Sequence, residues 1–481
     1  MSSLNYCKIV VLLFFSLSQH LNVNAQIALP EIEADITTHT TFGERAPFWM
    51  VSNQHGKYSL QKHGALTSIK LYSESDTGKI YNYKYGVELA NHFDGNNRLW
   101  FHQAYFHFGI FNKVEMRLGA WEETIGNEYT PLSSGSILWS DNARPLPKIE
   151  VGTPGFVEVP YTKGYAEVSG SLAHGWFEEG RYVQNVYLHR KYIYGRVGGS
   201  LPVNITFGLM HVAQWGGNSP AHGQLPVDWD SYRRVFFADS GGVDAPAGWQ
   251  INRFGNHIGS RNYGVDVKFK NFEMNLYHQD IFEDGSGKRR ENFPDGLWGV
   301  HLTNKNREFI ITDLVYEYLQ TTDQSGPIHD LDSGLKGNDN YFNHDVYQSG
   351  WTSRLMTIGT PFVTSPIYTQ DIDQDKNFRI WNNRVRVHHF GVQGIILNRI
   401  TYGMKFSYSQ NYGVYLEAPA AFEISDKLIQ YSWIGYFNYP IPRRNLIVSG
   451  ALGLDRGEMY GNNFGVQLKV SYTFSSGYLS K

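Results

Sequence analysis

The stretch Asn463-Phe464-Gly465-Val466-Gln467-Leu468-Lys469-Val470-Ser471-Tyr472-Thr473-Phe474 decides the fold class. Taken in twos, it puts Phe464, Val466, Leu468, Val470, Tyr472 and Phe474 on one face and Gly465, Gln467, Lys469, Ser471 and Thr473 on the other. That is the two-residue period of a strand. A soluble sheet turns such an apolar face inward, whereas a membrane barrel turns it outward to lipid and keeps the polar face in its lumen. Recurrence of the pattern and the destination of the chain separate the two.

The alternation recurs from end to end. Lys79–Ala90 sets Tyr81, Tyr83, Tyr85, Val87 and Leu89 against Asn82, Lys84, Gly86 and Glu88; Lys113–Trp121 sets Val114, Met116, Leu118 and Ala120 against Glu115, Arg117 and Gly119. Tyr263–Lys270 and Arg399–Ser409 repeat it. Lys and Arg on nearly every polar face would be buried in a soluble sandwich, which such residues resist. Eighteen candidate strands follow, starting near Ile32, Ala65, Ile80, Leu99, Val114, Ser136, Tyr165, Val186, Val203, Arg261, Phe272, Leu297, Glu308, Phe378, Arg399, Leu428, Leu446 and Asn463. The one near Ser136 is placed partly because an even count requires it.

The connections agree. Those leaving even-numbered candidates are mostly short, such as Asp76-Thr77-Gly78, Asn112, Lys270-Asn271 and Pro440–Arg444, whereas Gln214–Gly259 and Gln320–Asn377 leave odd ones. Short periplasmic turns opposite long outer loops predict an all-β, transmembrane antiparallel barrel of about 18 strands, with some loops folded into or over the lumen. In the first long loop, Asp228 or Asp230 is placed to cap a short helix through Tyr232, Arg233, Val235 and Phe236, with Gly241-Gly242 as its stop.

Residues 1–25 read as a secretory signal: Lys8 supplies the positive region, Ile9–Leu17 the apolar core and Val23-Asn24-Ala25 the cleavage site. Residues 26–64 then form an N-terminal segment with the first strand, a candidate for a partly periplasmic piece; 65–474 form the barrel and 475–481 a short tail. The single cysteine, Cys7, precedes the apolar core, so the processed chain is expected to carry no thiol chemistry. A net charge of −3 excludes a basic field for nucleic acid. Aromatics at 15% exceed what cores need and suit a lipid–water boundary.

Catalytic patterns are missing: no G-x-S-x-G, no H-E-x-x-H, no P-loop, and so no catalytic residues, no cofactor and no metal are expected. Asp371, Asp373 and Asp375 begin like a calcium loop, but Lys376 stands where its glycine belongs. Glu283 and Asp284 leave a hydrolase as one alternative, and a porin-like or sugar-uptake channel is the other. Trp49, Trp176, Trp215, Trp249, Trp298, Trp351 and Trp381 fall in or beside outer connections. Rings interleaved with Asn, Gln and Arg suit carbohydrate, whose C–H faces stack while its hydroxyls take planar hydrogen-bond partners. An interfacial girdle or loop packing is the favoured explanation for any single tryptophan, and it is the group as a whole that points to a glycan surface. The candidate polysaccharide contacts are Trp215, Trp249, Tyr341, Trp351 and Trp381, with Asn340 and Arg384 in support. His174, His189, His211 and His301 are expected as lumen or rim residues, and Arg384, Arg386 and His388 as one positive lumen sector.

Several stretches, in order, carry a resemblance: Ala46-Pro47-Phe48-Trp49 with Asn53 and Gly56, Ser140–Pro145, His174-Gly175-Trp176-Phe177, Leu188-His189-Arg190-Lys191, Gln214-Trp215-Gly216-Gly217, Glu317-Tyr318 with Ser325-Gly326-Pro327, and Asp339-Asn340-Tyr341 with Gly350-Trp351. Together they resemble the capsule assembly Wzi family, in the form seen in Bacteroidetes-type bacteria, from Ala46 to the C-terminus. The resemblance implies a non-enzymatic, lectin-like barrel of the Gram-negative outer membrane that holds capsular or extracellular polysaccharide at the cell surface. Its expected partners are that polymer, outer-membrane lipid and the polysaccharide export machinery, with the barrel itself a monomer.

Overall fold

The structure, a computed structural model, describes residues 30–74, 80–95, 97–126, 131–240, 254–283, 285–327, 329–330, 335–337, 339–369, 380–415 and 427–474. The signal segment, the turn Asp76–Gly78, Gly241-Gly242, Trp249, Asp284 and the Asp371–Asp375 carboxylates lie outside them.

The wall is a single antiparallel sheet closed by pairing its first strand with its last. In chain order its strands are β1 Glu31–Phe42, β2 His63–Glu74, β3 Tyr81–Phe93, β4 Asn97–Ile110, β5 Val114–Ala120, β6 Lys148–Gly152, β7 Ala166–Trp176, β8 Tyr187–Val197 and β9 Val203–Trp215. There follow β10 Asn256–Lys268, β11 Phe272–Phe282, β12 Gly296–Asn304, β13 Asp313–Gln320, β14 Val385–Ile396, β15 Ile400–Asn411, β16 Leu428–Ile441, β17 Leu446–Gly457 and β18 Asn463–Phe474. Val157–Glu158 continues the line of β6 against the same neighbour, β7, so the wall has 18 strands. Among the described residues no helix is long and apolar enough to cross a membrane.

β18 bears out its reading. Phe464, Leu468, Val470, Tyr472 and Phe474 stand exposed on the outer wall, while Gly465 and Ser471 are buried on the inner one. Ile36, Ile69, Ile193, Ile205 and Phe207 are likewise more than half exposed. Aliphatic side chains repeated around a closed wall form a lipid-facing belt, because in lipid that face is not exposed to water. Links after even strands include 111–113, 198–202, 269–271 and 397–399, whereas those after odd strands include 43–62, 121–147, 216–255 and 321–384.

The strand expected near Ser136 is a correction. Leu132, Ile137, Leu138 and Trp139 are apolar enough to read as wall, but they are buried inside the barrel without a strand partner. The chain leaves the wall at Ala120 and rejoins it at Lys148, directly beside Gly119. β13 starts later than expected, at Asp313, and β14 at Val385.

Candidate functional site

Three stretches enter the barrel from the outer end and meet in its upper half. The first is Ala46–Asn53, with the one-turn helix α1, Phe48–Val51. Its Phe48 N–H donates to Asp455 Oδ2 at 2.8 Å, and Trp49 Nε1 donates to Ser407 Oγ at 3.2 Å, so β17 and β15 hold it from below. The wall makes room with two glycines facing each other across strands, Gly453 and Gly465. A methyl group at either would lie within 3.0 Å of the Met50 sulfur. Gly465 belongs to the polar face of β18, so that face is shaped to a guest.

The second stretch, Leu132–Leu146, crosses the lumen. Ser133 Oγ and Ser134 N–H donate to Glu317 at 2.6 and 2.7 Å, His389 Nε2 meets Leu132 O at 2.7 Å, and Asn142 Nδ2 donates to Thr357 O at 3.0 Å. The third, Tyr341–Thr369 with Ile380–Asn383, completes the filling: Trp351 Nε1 donates to Leu138 O at 3.0 Å, and Phe48, Phe362, Tyr368 and Tyr460 pack ring on ring. The result is an apolar core inside a barrel whose lumen was expected to be polar.

Two loop residues of this filling titrate in opposite senses. Burial pushes His344 down to about 4, and its Nδ1 accepts the Val346 and Tyr347 N–H groups at 3.1 and 3.3 Å. Burial pushes Asp295 up to about 6, although its carboxylate accepts from Asp323 N, Gln324 N and the Tyr341 hydroxyl. The folded state refuses a proton at His344 that the unfolded chain accepts below its ordinary value of 6.5, so stability is lost as pH falls from 6.5 towards 4. The folded state keeps a proton at Asp295 that the unfolded chain has released, so stability is gained over nearly the same fall. Between pH 6 and 4 the contributions of these two groups therefore nearly offset each other. His344→Asn, which keeps an acceptor but cannot titrate, is expected to leave the Asp295 effect alone. Protection of the Tyr341–Thr352 amides, with the intrinsic pH dependence of exchange divided out, should then rise on acidification in the variant; falling protection refutes the assignment.

Against the apolar filling lies a balanced ionic cluster. Arg190 donates to Glu123 Oε1 and Oε2 at 2.6 and 3.1 Å and pairs with Glu150, while Arg117 joins Glu115 and Glu150, and Lys148 lies 2.9 Å from Glu123. Arg190 sits over the Trp139 ring at 4.3 Å and Lys148 over Trp121 at 3.5 Å. Three cations against three carboxylates leave the cluster neutral. Nearby, Glu88, His102 and Glu122 are the one group of metal-type ligands among the described residues. The Lys57 ammonium lies 3.0 Å from Glu88 and 2.7 Å from Glu122, so a side-chain cation already serves these carboxylates. Glu283 accepts the Phe342 N–H at 2.7 Å and so anchors the filling.

Of the seven sequence-derived contact residues, Trp215, Tyr341, Trp351 and Trp381 are buried and present no ring face to a polymer. Tyr341 donates to Asp295 and accepts from Asn292 Nδ2 at 2.7 Å; Asn340 Oδ1 accepts from Asn343 and Asn383 at 3.0 and 2.8 Å. Trp298, on the outer wall, stacks on His278 at 3.7 Å.

Arg384 is placed differently. Arg386 and His388 share the parity of Phe390, which is exposed on the outer wall, so the expected positive lumen sector is instead an outward one. His389 is the residue that faces in. Charged residues face outward here because above the lipid belt both faces of a wall meet water. Arg384 stacks on Tyr415 at 3.6 Å, and Arg386 lies over Tyr412 at 5.7 Å. Beside them Tyr412 donates to Gln410 at 2.9 Å, Gln410 to Tyr408 at 2.8 Å and Tyr318 to Gln320 at 2.8 Å. Gln320, Arg386 and Gln410 are register partners across β13, β14 and β15. Apart from Arg384, the members of this strip of rings, amides and guanidiniums are not legible as a site in the sequence, because they come together from three different strands.

The family model described as Capsule assembly protein Wzi matches residues 47–365. Among solved structures, Wzi of Escherichia coli, described as an outer membrane protein involved in group 1 capsule assembly and a carbohydrate-binding β-barrel, superposes with a TM-score of 0.58 at 12% identity, over 97% of this chain and 88% of that one. Pseudomonas aeruginosa OpdO superposes with a TM-score of 0.48 at 10% identity, over 93% of this chain and 98% of that one. No curated protein matches by sequence.

Proposed function

Because the chain belongs to the capsule assembly protein Wzi family, we propose that it binds a capsular or extracellular polysaccharide at the outer surface of a Gram-negative outer membrane and holds it there without chemical turnover. The observation that carries this reading is the outward strip of Arg384, Arg386, Tyr408, Gln410, Tyr412 and Tyr415, which sets rings beside planar donors and acceptors. Sugars are met by that combination: ring faces for C–H groups, amides and guanidiniums for hydroxyls. The packed lumen fits a holding role better than a porin-like one. The E. coli relative, a carbohydrate-binding barrel, supports the ligand class. The signal-like residues 1–25 suit the location. Polysaccharide export machinery is the further partner this role calls for, and a single barrel suffices for it.

Each contact is shallow, and strength would come from many sugars engaging at once. Replacing Arg384 and Arg386 together with alanine is expected to weaken polymer binding about tenfold or more, since hydrogen bonds to charged groups contribute about 1.5–3 kcal/mol each. The check is to quantify cell-associated and released polymer separately, at equal amounts of folded barrel. Polymer shed into the medium supports the strip; full retention removes it as a contact, and full retention after deleting the gene removes the holding role itself.

A further inference from the structure

The loop between β9 and β10 carries helix α2, Trp229–Phe237, started by the Asp228 side chain, which accepts the Ser231 N–H at 2.9 Å. It ends at Ala238, in the left-handed region at φ 54°, rather than at the expected Gly241-Gly242. His174, His189, Lys191 and His211 share strand parity with Leu172, Ile193 and Leu209, all exposed on the lipid side, and His257 is register partner to Ala213 on that face. These residues therefore point outward, not into the lumen or rim as the sequence suggested. The inner face of α2 covers them: Tyr232 lies 5.7 Å from His189 and 5.5 Å from Trp215, Phe236 lies 5.5 Å from His189, and the Lys191 ammonium sits over the Phe236 ring at 3.9 Å. Beneath the helix, His211 and His257 share a 2.8 Å hydrogen bond.

This sector has a short belt. On β9 the outward apolar run is Val203, Ile205, Phe207 and Leu209, and the next outward residue is His211. Seven residues reach about 20 Å along a strand, and less in height on a tilted one, whereas the apolar band of such barrels is about 25 Å tall. One further apolar row is needed where the wall offers histidine. The outer face of α2 supplies it, with Trp229 at 77% and Phe237 at 65% exposure. Arg233 between them is balanced by Asp230 at 3.2 Å and Asp239 at 3.5 Å.

We propose that α2 lies in the outer leaflet, seating Trp229 and Phe237 among lipid at the boundary between acyl chains and headgroups and completing the belt over β7–β10. Such amphipathic helices bind the interface by their buried apolar area, and this one is continuous with the lipid-facing wall below it. The inference rests on the wall's being lipid-facing, and the test separates the two. Cys7 lies within the first 25 residues, so the chain from Gln26 offers no competing thiol. Nitroxides are attached singly through Trp229→Cys, Arg233→Cys and Phe237→Cys, with Ile193→Cys as the belt reference and Tyr161→Cys, fully exposed in a turn at the opposite end, as the water reference. Heat-modifiable gel mobility verifies folding before collisions with oxygen and with a water-soluble nickel chelate are measured in phosphatidylcholine vesicles. The expected result is an oxygen-to-nickel ratio at 229 and 237 several-fold above that at 161, at a shallower depth than 193. Ratios matching 161, or shielding from both reagents as under a second protein surface, overturn the proposal while leaving the barrel intact. A wet reading at 193 would instead overturn the lipid-facing wall on which it rests.

Discussion

Arg190→Ala is expected to destabilise the folded barrel by about 3–5 kcal/mol, the usual result of removing one partner from a buried ion pair. The Arg190 side chain is wholly buried, bonds two carboxylates and covers the Trp139 ring. Alanine would leave two cations facing three carboxylates, with Glu123 and Glu150 stripped of their forked donor. Lysine restores the charge but not the fork, so Arg190→Lys should fall between alanine and the native protein. The midpoint of urea or heat unfolding, followed by the loss of compact gel mobility, reports the order. A native-like midpoint for the alanine variant would mean that water already solvates these charges.

The second large effect concerns conduction. β5 and β6 are neighbours, with Gly119 opposite Lys148, so the stretch between them can be shortened to a tight turn without parting the wall. Replacing residues 125–145 by a short Gly-Ser turn removes Leu132, Ile137, Leu138 and Trp139 from the lumen, together with the acceptors that hold Trp351 and His389. The native barrel is expected to conduct poorly in a planar bilayer, and the shortened one at the level of an open channel. Glu123 and Lys148 remain, so the ionic cluster survives and the variant should still insert. High conductance in the native protein would return the porin-like reading to favour.

How much of this was legible follows from what periodicity records. A strand in a wall reports its faces locally, and neighbours such as Leu468 and Lys469 are enough to tell the lipid side from the lumen side. Sheet class, approximate strand positions and the sidedness of the loops could therefore be read from the chain. Burial of Trp351 could not, because it comes from a segment 213 residues away that carries no period. The stretch around Ile137 reads as wall for a related reason: apolarity marks burial but not which surface provides it. Alternation points Arg386 and His388 inward by a rule valid only within the hydrocarbon; above it, polar residues face either way. The signal at Arg384 lay in its chemistry, and its correct side needed the register with β13 and β15.

The seam where β1 meets β18 pairs Ile32 with Phe474 and continues to Phe42 with Phe464. Just past it, Glu44 N donates to Asn463 Oδ1 at 2.8 Å, and Phe48 N reaches Asp455. The segment that begins the filling is thus docked on β17 and β18, the hairpin that closes the wall against β1. Its berth does not exist until that hairpin is in place, so the act that shuts the cylinder is also the act that furnishes it.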